Sequence, residues 1–250
     1  MSKVVRNLII LLLLGLSALF AFLAYKEEEP VIKSKAQQEA IKEIAVLDNS
    51  DPYNRIIDFQ TLRTLNEDIV GWLYIPDSSI DYPILIGDTD SEYLNKDVEG
   101  NWSELGSIFC FKDTNKNLFD ANTFLFGHNM LEYQMFGELR RYFDKDFRDS
   151  HKKVYIYTET RTLELEVFSI FTCLSYDELF SNRLELGSLE YQDLLVSMEN
   201  RNSLQDLEIT GSIKDMYNNR MFSLVTCHGD VGTVYRLVIN AITVREKYIL

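Results

Sequence analysis

The residues with the clearest chemical potential are a cysteine and an arginine near the end of the chain. Cys227 closes an apolar, β-branched run, Met221–Cys227, and a Gly-Asp turn signal follows at residues 229–230. This pattern predicts a buried strand that delivers a thiol to its exposed end. A second strand is predicted over residues 233–244, and it carries Arg236 near its start. A cation beside a thiol favours the thiolate, which is the nucleophilic form.

A nucleophilic cysteine also needs an acid or base partner, and the chain contains three histidines. His228 directly follows Cys227, so in a continuing strand their side chains point to opposite faces. His151 lies in a polar stretch that predicts a solvated turn. His128 follows a second apolar strand, residues 123–126, so two strand ends could present it together with the thiol. The alternative is a buried structural cysteine and an unrelated surface histidine, because free cysteines are often buried.

Together these motifs resemble the sortases, which are cysteine transpeptidases of the Gram-positive cell surface. The sortase signature is T-L-x-T-C at a strand end, with an upstream histidine and an arginine on the next strand. Residues 223–227 read S-L-V-T-C, and the departure at the first position keeps a small hydroxyl. Residues 66–76 and 80–84 resemble the first two barrel strands of class B sortases. Residues 127–130 and then 135–139 resemble the class B histidine loop and helix, so the resemblance covers most of residues 66–244.

The resemblance implies a mainly β fold, an eight-stranded sortase barrel with N-terminal helices and a helix in a long inter-strand insertion. It also implies a two-step acyl transfer. Cys227 would attack a carbonyl in the C-terminal sorting signal of a surface protein, and His128 would protonate the departing amine. Arg236 would stabilise the oxyanion, and an amine of a peptidoglycan precursor would then resolve the thioester. The alternative for Arg236 is an edge-strand surface charge.

Four further residues near these motifs also have predicted roles. Val225 and Thr226 are expected to line the substrate groove, because they precede the thiol. Tyr176 could cap the groove, although an aromatic packed beneath the insertion fits equally well. Asn129, beside His128, is expected to be a turn residue. The predicted acyl transfer requires neither a metal nor an organic cofactor.

Two other classes of function fit the same motifs. One is an exported cysteine hydrolase that releases the peptide to water, and the other is a catalytically silent surface-binding barrel. Within the sortases, a pilin-polymerising enzyme is a further alternative to one that anchors surface proteins. The formal net charge of -14 argues against nucleic-acid binding, which requires a basic face.

The N-terminus carries a physical signal of its own. Residues 7–25 contain no charged side chain and are long enough to cross a bilayer as a helix. Lys3 and Arg6 precede this run, so the positive-inside rule predicts a single-pass cell-membrane protein whose catalytic domain is extracellular. A cleaved signal peptide is the competing interpretation. The predicted organisation is a tail and anchor at residues 1–26, a helical spacer at 27–65 and a catalytic barrel at 66–250.

The pattern of apolar residues also predicts the individual elements. The spacer is expected to form two helices, at residues 31–48 and 54–65, separated by Pro52. Further helices are predicted at 133–143 and 189–200. The predicted barrel strands are residues 71–75, 81–86, 107–111, 123–126, 153–158, 163–174, 221–227 and 234–244.

The three cysteines are an odd number, so they cannot all pair within one chain. Cys110 and Cys173 both lie in apolar, strand-like runs. The sequence favours reduced core residues at both positions and leaves a Cys110–Cys173 disulfide open.

Overall fold

A computed structural model describes residues 2–181, 184–204, 207, 211–229 and 232–249. The chain divides into two units, one up to Glu39 and one from Ala40 onward. The first unit belongs to helix α1 (Lys3–Ala45), which contains Pro30. It is the helix, among those described, that is long and apolar enough to cross a membrane. The large apolar side chains between Val4 and Tyr25 are exposed, as a lipid-facing helix would require, whereas Ile41 and Ala45 near the end of α1 are buried.

The N-terminal part of the second unit differs from the two predicted helices. Helix α1 ends at Ala45, and residues 46–48 form strand β1 (Val46–Asp48), which pairs with β2 (Ile56–Ile57). The α-helix predicted at residues 54–65 is shorter in the structure, where it forms α2 (Phe59–Leu65). Asp58 caps α2, since its carboxylate accepts a hydrogen bond from the Thr61 amide at 2.9 Å. The β-branched pair before this cap therefore stays extended rather than joining the helix.

Eight strands close into a single barrel, which confirms the predicted fold. Around the barrel the order is β10-β8-β7-β3-β4-β5-β6-β9, and the pairs β4–β5 and β6–β9 are parallel. Closure gives each barrel strand a paired neighbour on both sides. The strands are β3 (Ile69–Tyr74), β4 (Asp81–Leu85), β5 (Ile108–Phe109), β6 (Asn122–Phe126), β7 (Lys153–Tyr157), β8 (Arg161–Leu174), β9 (Met221–Cys227) and β10 (Tyr235–Tyr248).

The two faces of β9 belong to different apolar clusters. Phe222 and Leu224 point into the barrel core, whereas Met221 and Val225 join a second cluster on the outer face. This alternation follows from the two-residue period of a strand. Cys227 has the same parity as Val225, so the thiol lies on the outer face of the barrel.

The region predicted as a helix at 133–143 contains a 3-10 helix, Gly137–Phe143, which is followed by α3 (Lys145–Ser150).

The outer face of the barrel is covered by the segment between β8 and β9, which is the predicted insertion. The insertion carries α4 (Leu189–Asn200), which confirms the helix predicted there. Tyr191 and Leu195 of α4 are fully buried in the outer-face cluster. The insertion therefore makes a second core out of a barrel face that would otherwise meet water.

Candidate active site

Strand register brings a thiol and a guanidinium together. Cys227 ends β9, and its direct partner on β10 is Arg236. Directly opposed residues of an antiparallel pair share a face and lie side by side. Both side chains are half-buried. The two groups predicted from separate strands are therefore cross-strand neighbours on the outer face.

The third predicted group, His128, is brought beside the thiol by the parallel pairing of β6 with β9. Phe126 is the partner of Val225, and the Gly127 amide donates to the Val225 carbonyl at 3.2 Å. His128 follows directly, level with the end of β9. Parallel pairing matters here, because it puts the C-terminal ends of both strands at the same edge of the sheet.

One cavity of about 350 Å³ contains all three groups. Its walls are mainly apolar and come from β5, β6, β9 and the insertion. Phe111 and Phe126 meet edge to face, with ring centroids 4.6 Å apart, and the Phe180 ring of the insertion lies 6.2 Å from that of Phe126. The lining comprises Asp90, Ser91, Leu94, Phe109, Phe111, Phe126, Gly127, His128, Ser175, Phe180, Val225, Thr226, Cys227 and Arg236.

A backbone carbonyl orients the His128 ring. Nε2 of His128 lies 2.7 Å from the carbonyl oxygen of Leu94, at the end of the 3-10 helix Glu92–Leu94. A carbonyl oxygen only accepts, so Nε2 carries the proton of this bond. Nδ1 is then the ring nitrogen that this bond does not use. The His128 carbonyl accepts from the Phe136 amide at 2.9 Å, which fixes the backbone as well.

Backbone carbonyls just before Arg236 hold its guanidinium in place. Its Nη1 donates to the carbonyls of Thr233 at 2.9 Å and Tyr235 at 3.1 Å. On the far side of Arg236, its direct partner on β8 is Cys173. In the strand register, Arg236 thus lies between Cys227 and Cys173 on one barrel face. Burial raises the pKa of Cys173 to about 11, and Asp177 adds to this, so this thiol is protonated at neutral pH.

The other two histidines lie outside the lining of this cavity. His228 is exposed, and its ring lies 5.8 Å from that of Phe143. His151 is buried, and its ring stacks on Phe147 at 3.8 Å, so the solvated turn predicted there was wrong. Its Nε2 lies 3.0 Å from the Asp77 carbonyl, which anchors a loop of the barrel. The polar sequence around His151 hid this tertiary role.

The predicted groove residues divide into two sets. Val225 and Thr226 line the cavity, although both are almost fully buried, and the Thr226 hydroxyl donates to the Gly127 carbonyl at 2.8 Å. Tyr176 is 72% exposed and is not among the residues that line the cavity. The structure therefore brings Val225 and Thr226 to the thiol and leaves Tyr176 on the nearby surface.

Two contributors had no signal in the sequence. The Leu94 carbonyl is a backbone group in a loop, so no residue pattern could point to it. Phe180 follows a polar stretch in the insertion, and only the folded chain shows that its ring reaches the cavity. Among the described residues, no group of three or more His, Cys, Asp or Glu side chains could hold a metal ion. None of the three cysteines, all of them described, forms a disulfide.

A closed barrel that presents a thiol, an imidazole and a guanidinium in one cavity has the groups that cysteine acyl transfer requires. Comparison with known proteins agrees with this class. A sortase domain family model matches residues 73–244. Sortase B of Staphylococcus aureus (strain NCTC 8325 / PS 47) is 32% identical over 73% of this chain and 73% of its own length. Sortase B of Listeria monocytogenes serovar 1/2a is 32% identical over 68% of this chain and 67% of its own length.

Comparison with solved structures leads to the same class of protein. The structure of a Staphylococcus aureus sortase B–substrate complex matches 75% of this chain and 84% of that chain, with a TM-score of 0.65 at 28% identity. The chain therefore belongs to the sortase family, among the class B members.

Proposed function

We propose that this protein is a cysteine transpeptidase that cleaves the C-terminal sorting signal of exported proteins and transfers them to an amine of a peptidoglycan precursor. The observation that carries the proposal is the shared cavity, where Cys227, His128 and Arg236 meet on the outer face of the barrel. Sortase B relatives and a sortase B structure named as a substrate complex support a peptide substrate.

The first step is acylation of the thiol. The Cys227 sulfur attacks the scissile carbonyl carbon, and the tetrahedral oxyanion is stabilised by the Arg236 guanidinium. The carbon–nitrogen bond then breaks, and His128 gives its proton to the departing amine. The product is a thioester between Cys227 and the cargo protein. Val225 and Thr226 line the groove that holds the peptide, and Tyr176 is available to cap the part of the peptide that leaves the cavity.

The second step resolves the thioester. An amine attacks the thioester carbonyl, the carbon–sulfur bond breaks, and the amine passes its proton to His128. This restores the Cys227 thiolate and the protonated imidazole for the next turnover. Apolar walls around the thiol favour transfer over hydrolysis, because they limit the access of water.

The direct test is cleavage of a quenched sorting-signal peptide by Cys227→Ala. We expect complete loss of cleavage with an unchanged circular dichroism spectrum. The matched histidine series, in which His128, His151 and His228 are each replaced by alanine, should show the largest loss of activity at His128. Cleavage retained by folded Cys227→Ala would overturn the assignment, and an equal loss in the His228 variant would overturn the choice of histidine.

The nature of the acceptor separates the proposal from an exported hydrolase. With an added amine nucleophile, the transferase should form an amide product at the expense of the free acid. A product mixture that does not change with the amine concentration would indicate a hydrolase instead. Linkage of cargo chains to one another would indicate a pilin-polymerising enzyme.

We further propose that α1 anchors the protein in the cell membrane as a single span. In this arrangement residues 1–26 hold the cytoplasmic tail and the span, residues 27–65 form the spacer, and residues 66–250 form the extracellular catalytic barrel. The support is the uncharged apolar run of α1 and the basic residues before it. Protease added to intact protoplasts should digest the barrel. Protection of the barrel would reverse the orientation, and release of a shortened form would indicate signal cleavage.

A further inference from the structure

Beside the thiol, the contact between β6 and β9 changes from backbone hydrogen bonds to side-chain hydrogen bonds. The backbone ladder runs to the pair Phe126 and Val225, and its last bond joins the Gly127 amide to the Val225 carbonyl. Beyond that bond, side chains connect the two segments. The Thr226 hydroxyl donates to the Gly127 carbonyl at 2.8 Å, and the Asn129 amide donates to the Cys227 carbonyl at 3.0 Å.

These two side-chain bonds lie on either side of one residue. Gly127 and Asn129 are the chain neighbours of His128, and each is tied to β9. The Asn129 bond ends on Cys227 itself, so one amide joins the residue beside the imidazole to the residue that carries the thiol. The separation between the two reacting side chains therefore depends on the position of this amide.

We propose that Asn129 is a positioning residue, which sets the geometry between His128 and Cys227 through its hydrogen bond to the Cys227 carbonyl. This inference rests on the proposed function, since it concerns the reaction of those two groups. Asn129 is not among the residues lining the cavity, so it acts through its neighbours rather than by touching the substrate.

The chemistry of the bond explains why an asparagine stands here. The Cys227 carbonyl can only accept, so the amide must turn its NH2 group towards it. Its Oδ1 is then buried without a hydrogen-bond partner among the described groups. An unsatisfied buried acceptor reduces stability, so this bond contributes less to stability than a fully satisfied amide would. This arrangement differs from the turn role expected from the sequence.

The test compares two aspartate substitutions of equal shape. In Asn129→Asp, an ionised carboxylate can only accept and therefore repels the Cys227 carbonyl. When the carboxyl is protonated, its O–H can donate and restore the bond. Asn219 provides the matched control, because its amide donates to the Thr243 carbonyl at 2.8 Å near the other end of β10. Asn219→Asp therefore breaks the same kind of bond far from the thiol.

The experiment uses the full chain in detergent, with a quenched sorting-signal peptide, and records kcat, KM and Tm from pH 5 to pH 8. We expect Asn129→Asp and Asn129→Ala to lower kcat by about 10- to 100-fold at pH 8, with KM changed little, because small displacements of reacting groups have effects of that size. The activity of Asn129→Asp relative to wild type should rise as the pH falls. The same ratio should stay flat for Asn129→Ala and Asn219→Asp.

Each outcome has a definite meaning. Equal kcat for wild type and both Asn129 variants overturns the inference and leaves the proposed function standing. A kcat loss of the same size in Asn219→Asp also overturns it, because general destabilisation would then suffice. If Asn129→Ala does not fold, the pH dependence of the Asn129→Asp ratio decides alone, and a flat ratio overturns the inference. A wild type that cleaves no sorting-signal peptide removes the proposed function and the inference with it.

Discussion

Arg236 has a thiol on each side, Cys227 on β9 and Cys173 on β8, and its Nη1 is held by backbone carbonyls. Such fixation matters if the planar fork of the guanidinium must meet an oxyanion in one geometry. We expect Arg236→Lys to lose about a hundredfold or more in the rate of acyl-enzyme formation, although its charge is conserved. Rapid-quench measurement on Arg236→Lys and Arg236→Ala tests this. A lysine variant within a few-fold of wild type would leave only an electrostatic role.

The three thiols differ in exposure, and this makes the proposed nucleophile, Cys227, chemically distinct from the other two. Cys227 is half-buried, whereas Cys110 and Cys173 are buried. Burial raises the pKa of Cys173 to about 11 and that of Cys110 further still. Since only the thiolate is alkylated, iodoacetamide at pH 8 should modify Cys227 in the native protein and spare the other two. Peptide mass spectrometry before and after unfolding measures this, with Cys227→Ala as the control. Native labelling of Cys173 would contradict the burial argument.

Among the elements, α4 converts one face of the barrel into a second core. Ser188 caps the helix by accepting from the Tyr191 amide at 3.2 Å, and Leu195 is fully buried. Leu195→Ala should lower the free energy of unfolding by about 2–5 kcal/mol, the usual range for a buried leucine. Leu189→Ala is the matched control, since Leu189 lies on the same helix and is 74% exposed. Equal effects in urea unfolding would show that α4 does not bury its inner face.

The element that sets the site is the parallel pair β6–β9, and its two strands are far apart in the sequence. Either strand alone is recognisable from its apolar run and from the reactive residue that follows or ends it. Neither shows that its partner is parallel, and an antiparallel pairing would have put His128 and Cys227 at opposite edges. Closure of the barrel decides the pairing, because each strand must find a neighbour on both sides.

For the whole molecule, the buried phenols and thiols predict alkaline sensitivity. Burial raises the pKa of Tyr155 to about 12, that of Cys173 to about 11, and that of Tyr142 beyond this range. Above about pH 9–10 the unfolded chain loses protons that the folded chain still holds, so stability is lost as the pH rises through the folded values. The free energy of unfolding should therefore fall between pH 8 and pH 11.

Urea unfolding across this pH range measures the effect. Tyr142→Phe should show a shallower pH dependence, because it removes one of the raised phenols. It should also be less stable at pH 8, since the Tyr142 hydroxyl donates to the His151 carbonyl at 2.8 Å. A free energy of unfolding that does not change from pH 8 to pH 11 would contradict the prediction.

The sequence by itself determined the local parts of this protein. The pattern of apolar residues, whether continuous or periodic, predicts all eight barrel strands and helix α4, because such a pattern is a property of neighbouring residues. The strand-end thiol, its arginine partner and the upstream histidine are also visible in the sequence. The β1–β2 hairpin was missed, since residues 46–48 and 56–57 are too short to show a strand pattern of their own and are defined by their pairing with each other.

Only the tertiary structure decided how those parts meet. The Leu94 carbonyl at His128, the Asn129 amide at Cys227 and the Phe180 ring in the cavity are contacts between segments remote in sequence. No local sequence pattern predicts any of these contacts. A backbone carbonyl, a polar loop residue and a single aromatic residue each occur in many structural settings, so none of them points to one partner. For His151, Phe147 is a local partner one helical turn away, but the Asp77 carbonyl comes from a segment remote in sequence and reaches Nε2 only in the folded barrel.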